Sequence, residues 1–190
     1  MSESLPFGRV FQDRNGSQEK FPGFLLVNFG REDTADERAL AANYGLMTLN
    51  AVDFALERLD EPEAGYPALY LGRHTLELYL KGLVPDWEER REKGKTRHHI
   101  DYLIDILRNR LAKRYDVEEI LALSEFLHQI ALLDPKSMAF RFRDGAKASF
   151  GETPIEDPEI WVDFVALSGS LRLIFEALND LWIDKNRITR

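Results

Sequence analysis

No cysteine occurs among the 190 residues. Disulfides, thiol nucleophiles and zinc–thiolate centres are therefore excluded, which fits a reducing cytoplasm. Long apolar runs are missing too: no stretch reaches the roughly 18 apolar residues that a helix needs to cross a bilayer. The opening MSESLPFGRVFQDRNG has no basic region followed by an apolar core, so it does not read as a signal peptide. Positive charge is scarce. The 25 Lys and Arg stand against 33 Asp and Glu, a formal net charge of −8. That is not the footprint of a sequence-independent DNA binder, which needs many cationic contacts to phosphate. A Gly-rich phosphate loop and a G-x-S-x-G nucleophile elbow are both lacking.

What remains is an ordinary globular composition, 44% hydrophobic and 31% charged. A chain of this length fits one domain and buries roughly 70% of the surface its unfolded form exposes. Residues 1–31 read as an irregular N-terminal arm, punctuated by Gly8, Gly16, Pro22, Gly23 and Gly30. Within it, FLLVNF is a short strand or a buried extended segment. Residues 32–190 read as one helical domain. Apolar spacing predicts helices over about Thr34–Asp60, Ala68–Val84, Ile100–Arg114, Val117–Leu133 and Glu159–Ile183. EPEAGYP breaks the first from the second, and the charged connector DWEERREKGKTRHH follows Pro85. Asp116 is a cap for the fourth helix, and Asp157-Pro158 for the last. Between those two helices the period changes. AFRFRDGAKASF alternates apolar and basic residues around Asp144-Gly145, a two-residue hairpin signal. The expected architecture is mainly all-α, a four-to-five-helix up-and-down bundle with a small β-hairpin before the last helix.

Polar residues interrupt the apolar second helix. His74, Glu77 and Lys81 are spaced i, i+3 and i+7 and share one face, with Glu77 and Lys81 in the favourable i,i+4 order. The plain reading is a solvated strip carrying a helix salt bridge worth a few tenths of a kcal/mol. His74 and Glu77 also make an H-x-x-E pair, but a carboxylate-bridged dimetal bundle needs a second such element and more glutamates. None is found, so no metal and no cofactor is expected.

Three strings carry a resemblance: His74-Thr75-Leu76-Glu77-Leu78-Tyr79-Leu80-Lys81, His98-His99-Ile100-Asp101-Tyr102-Leu103, and Asp134-Pro135 leading to Phe140-Arg141-Phe142. In this order they resemble the HEPN family of small helical bundles, named for nucleotide binding in higher eukaryotes and prokaryotes. The likeness spans roughly Asp36 to Trp182. It implies a helical bundle whose polar strip lies on an interior-facing helix, with Glu77 and Lys81 positioning the charged connector. It also implies a homodimer that binds nucleotide or RNA. By the same analogy the protein belongs to a phage-defence or toxin–antitoxin system with a nucleotidyltransferase partner.

Many HEPN proteins are metal-independent ribonucleases, with an Arg and a following His near the start of the last core helix. The chemistry suits that pair: a histidine moves a proton of the ribose–phosphate unit and an arginine holds its charge. Here the last helix has Arg172 but no histidine. Arg91 and His98, with six residues between them, are the nearest match and lie instead in the connector. His98 also reads as a capping histidine before the third helix, and His128 as a satisfied core or boundary residue.

Two surfaces remain. If the hairpin alternates its faces, Arg141, Arg143 and Lys147 form a small basic surface for an anion or RNA, or simply a solvated outer face. The last helix is apolar on many sides, so it is buried within one chain or shared with a second copy. For the shared case the interface residues are Trp161, Phe164, Ser168, Leu171 and Phe175. Three functions follow: a dimeric nucleotide- or RNA-binding module, an active endoribonuclease of the same fold, or a helical interaction protein with no nucleic-acid role.

Overall fold

Helical periodicity dominates the chain and helices dominate the fold. The computed structural model describes residues 37–84, 86–90, 98–141, 145 and 161–188. All of them belong to one compact unit, Ala35–Arg190. Within these residues run α1 (Glu37–Leu56), α2 (Gly65–Leu83), α3 (Trp87–Arg90), α4 (Asp101–Leu111), α5 (Val117–Leu133) and α6 (Phe164–Ile188). A 3₁₀ turn at Pro62–Ala64 feeds α2. The five long helices are the expected ones, and α3 is one extra turn inside the connector. No helix among the described residues is long and apolar enough to cross a membrane.

Local chemistry sets the helix ends. Asp116 has extended backbone and accepts from the N–H groups of Glu118 at 2.8 Å and Glu119 at 3.4 Å, so α5 begins where the sequence places it. The last helix differs. Trp161–Asp163 is not helical, and α6 starts at Phe164 because the Asp163 carboxylate accepts from the Ala166 N–H at 2.9 Å. The Asp157-Pro158 cap expected from sequence lies outside the described residues. So does much of the expected hairpin. Its described part is not a strand: Ala139–Arg141 is a turn, Gly145 has helical backbone, and no strand occurs among the described residues. The cause is Asp134, whose carboxylate accepts from the Met138 N–H at 2.7 Å and the Ala139 N–H at 3.0 Å. That draws the chain into a tight loop directly after α5 instead of extending it.

The core gathers around α2, which packs against α1, α4, α5 and α6. Val52, Leu76, Leu80, Leu103, Ile104, Leu127, Leu171 and Leu178 are all essentially inaccessible to solvent. Two α2 glycines allow close approach. Gly72 faces the Thr48 methyl and Leu171, while Gly82 lies directly against the buried indole of Trp182. Gly169 on α6 faces open space.

These two surroundings predict opposite outcomes for the same substitution. Gly82→Ala forces the Trp182 ring to move and should destabilise the fold by about 1–3 kcal/mol. Gly169→Ala gains helix propensity without a clash and should stabilise it by roughly 0.5–1 kcal/mol. Urea unfolding of the two variants checks the pair; equal shifts of the midpoint would contradict this packing.

Candidate functional site

The helical spacing of Arg73, Glu77 and Lys81 places three charges in one row along α2. Arg73 is 1% exposed and Glu77 2%. Burial of ionised groups is costly unless each is paired and hydrogen-bonded. Here each is. The Arg73 guanidinium donates from Nη1 to Glu77 Oε2 at 3.0 Å, from Nε to the Asp134 carbonyl at 3.2 Å, and from Nη2 to the His98 carbonyl. Glu77 Oε1 accepts from Lys81 Nζ at 2.5 Å and faces His98 Nδ1 at 3.1 Å. The Lys81 ammonium also sits 4.5 Å from the centre of the Trp87 ring, a cation–π contact. One row on α2 thus holds the end of α5, the segment leading into α4, and α3.

Charge bookkeeping explains the protonation states. Burial pushes the Glu77 carboxyl upward, but the Lys81 hydrogen bond and the charges of Arg73, Lys81 and His98 outweigh it and hold the group below its usual 4.5. Glu77 is therefore a carboxylate, which only accepts, so its contact with His98 places a proton on Nδ1 of that ring. Burial pulls the Arg73 guanidinium below its ordinary value, with Glu77 working against the shift. It remains charged at any ordinary pH.

The third residue of the expected strip does not join this row. His74 turns to a different neighbourhood: its ring meets Tyr44 edge-on at 4.8 Å and stacks with Tyr70 at 6.1 Å and 12°. The Arg141 guanidinium lies 5.1 Å from the centre of the Tyr70 ring. Tyr66, one turn before Tyr70, pairs with Phe140, the residue before Arg141, at 6.4 Å. Burial lowers the His74 pKa from 6.5; Glu77 opposes this, while Arg73, Lys81 and Arg141 reinforce it. His74 is a neutral ring in a half-buried aromatic group.

The structure sorts the sequence candidates as follows. Glu77 and Lys81 form the expected pair, in a buried setting and not on a solvated strip. His98 lies beside Glu77 with its ring exposed at the surface. Arg91, Arg143 and Lys147 lie outside the described residues. Of the candidate interface, Trp161 is 93% exposed and Phe164 and Ser168 are half-buried. Leu171 and Phe175 are inside the core, Phe175 stacking on Tyr79, so they are unavailable to a partner. Among the described side chains of α6, the large apolar ones at the surface are Val165 and Leu173. His128 is half-buried at the boundary, with Nδ1 2.8 Å from the Ser124 carbonyl. No group of three or more His, Asp and Glu among the described residues is placed to hold a metal ion.

Arg73 is the residue that sequence reasoning missed. Its signal was the same spacing that exposed the Glu77–Lys81 pair, extended one turn backwards. Tyr70 was also missed, because an aromatic at helical spacing looks like any core residue. No protein-family model, curated protein or solved structure matches the chain.

Removing Glu77 alone strands a buried guanidinium. Glu77→Ala should cost about 3–5 kcal/mol, whereas Lys81→Ala, at the edge of the row, should cost about 1 kcal/mol or less. Acid should act through two groups whose folded pKa values are depressed. For each, the unfolded chain takes up a proton first as pH falls, so its stabilisation is complete above the unfolded value and lost below it. The His74 contribution is lost as pH falls below 6.5 and that of Glu77 as it falls below 4.5. Unfolding midpoints measured from neutral pH into acid should show both losses, and the lower one should vanish in Glu77→Gln.

Proposed function

We propose that this protein is a HEPN-like module that binds single-stranded RNA or nucleotides. The observation that carries the reading is the meeting of His74, Tyr70 and Arg141. Two candidates far apart in sequence, a histidine from the polar strip and an arginine from the basic segment, converge on one tyrosine ring. Aromatic faces beside an arginine are the chemistry of single-strand recognition: bases stack on rings without strict sequence preference, and the planar guanidinium forks onto phosphate oxygens. Arg141 is at the surface, and Tyr66 is 53% exposed, leaving ring area for a base. The HEPN resemblance supports the same ligand class. It extends the reading to a homodimer within a phage-defence or toxin–antitoxin pair that includes a nucleotidyltransferase. Trp161, Val165 and Leu173 offer the apolar surface for such contacts.

Fluorescence anisotropy with a labelled single-stranded RNA tests this. Tyr66→Ala should weaken binding about 5- to 100-fold, the usual worth of one stacking platform. Arg141→Ala should weaken it and flatten its salt dependence by about one phosphate contact. Unchanged affinity in both variants would sink the reading.

A second reading has its own support. Glu77 fixes Nδ1 of His98 and Arg73 grips its main-chain carbonyl, while the ring stays exposed. A carboxylate that orients a histidine in this way leaves the other ring nitrogen available for proton transfer. That favours a metal-independent endoribonuclease using His98, with Arg91 as its phosphate clamp. RNA cleavage in the presence of chelator, lost in both His98→Ala and Arg91→Ala with folding intact, would establish it. Absence of cleavage by the wild-type protein would leave the binding module as the function.

A further inference from the structure

A cleft of about 360 Å³ opens between the C-terminal end of α4, the first turns of α5 and the second half of α6. Its floor is apolar, made by Leu111, Ile120, Leu123 and Leu181. Its rim is acidic. Glu119 comes from α5, and Asp180 and Asp184 sit one turn apart on α6. Tyr115 adds an aromatic wall and donates its phenol to Asp184 Oδ2 at 3.1 Å. No hydrogen bond or ion pair engages the Glu119 or Asp180 carboxylate among the described residues. The volume is that of a small-molecule site, not of a groove for a helix.

We infer that this cleft binds a small organic ammonium ion with an apolar body. Each part of the ligand follows from one part of the site. Leu111, Ile120 and Leu181 would remove the body from water. Carboxylates at the mouth attract a cation and repel an anion, and the apolar floor beside them strengthens that choice relative to open solvent. The Tyr115 ring adds the attraction of an aromatic face for an ammonium group. The cation discriminates and the apolar body supplies contact area, so neither feature alone is enough. This chemistry is opposite in sign to that of the Arg141 surface, so the cleft stands independently of the nucleic-acid reading.

Tryptamine is a suitable test compound, because an indole body carries one primary ammonium. Methyl-labelled protein is titrated in an NMR experiment with tryptamine, with the anion indole-3-acetate, and with putrescine, a cation without a rigid apolar body. Tryptamine should shift the methyls of Leu111, Ile120 and Leu181, and both controls should bind at least about tenfold more weakly. Asp180→Asn should weaken tryptamine about three- to tenfold, the range of one partly exposed charge contact. Ala177, which also lines the cleft, lies on the exposed side of α6. Ala177→Phe fills the space with every charge intact and should abolish the shifts. Equal binding of tryptamine and indole-3-acetate, methyl shifts that survive Ala177→Phe, or no shift at millimolar tryptamine would each overturn the proposal.

Discussion

A carboxylate buried in a helical core needs more than one cation around it, and Glu77 has three donors. Arg73, Lys81 and His98 share its two oxygens. Without them an ionised group at 2% exposure would not persist in this interior. The dependence runs the other way as well. Arg73 is as deeply buried as Glu77, and it also donates to the main-chain carbonyls of His98 and Asp134, which lie just outside α4 and α5. Regular packing of leucines around α2 would hold α1, α4, α5 and α6 to it without this row. It would not fix how the connector approaches α4 or how the chain leaves α5.

The strongest periodicity produced the most legible elements. α5 was readable to the residue, because Asp116 caps it and Asp134-Pro135 stops it. Boundaries failed where a cap lay close by but unremarked: Asp163 starts α6, and a turn carrying Glu57–Asp60 ends α1 four residues early. In the described part of the expected hairpin, Asp134 acts in a similar way. A side chain that bonds two successive N–H groups outweighs alternating hydrophobicity in the residues just after it. The polar strip was legible as a spacing but not as a depth. Helical periodicity shows which residues share a face; it does not show which face a connector will cover. His74 and Glu77 are three residues apart, yet one enters an aromatic group and the other an ion cluster.

Two contrasting charged environments occur on the described surface of this acidic chain. Arg141 sits beside a ring system that includes Tyr70 and His74, in the sharp loop after α5. Carboxylates edge the cleft where α6 passes the α4–α5 turn. Net charge alone would have hidden the first and made the second unremarkable. Placement relative to aromatic and apolar side chains gives each charge its chemistry.

Arg73 also constrains the order of folding events. Its partners are 25 and 61 residues away in sequence, so neither carbonyl arrives through local helix formation. Helices such as α2 and α5 form their own turns within about a microsecond, while these carbonyls must be carried in by loop closure. The guanidinium therefore exchanges water for these two carbonyls only when both segments dock. Contacts completed this late act on the lifetime of the native state more than on the speed of reaching it. Once both segments have docked, the Arg73 end of the ion row latches them to α2.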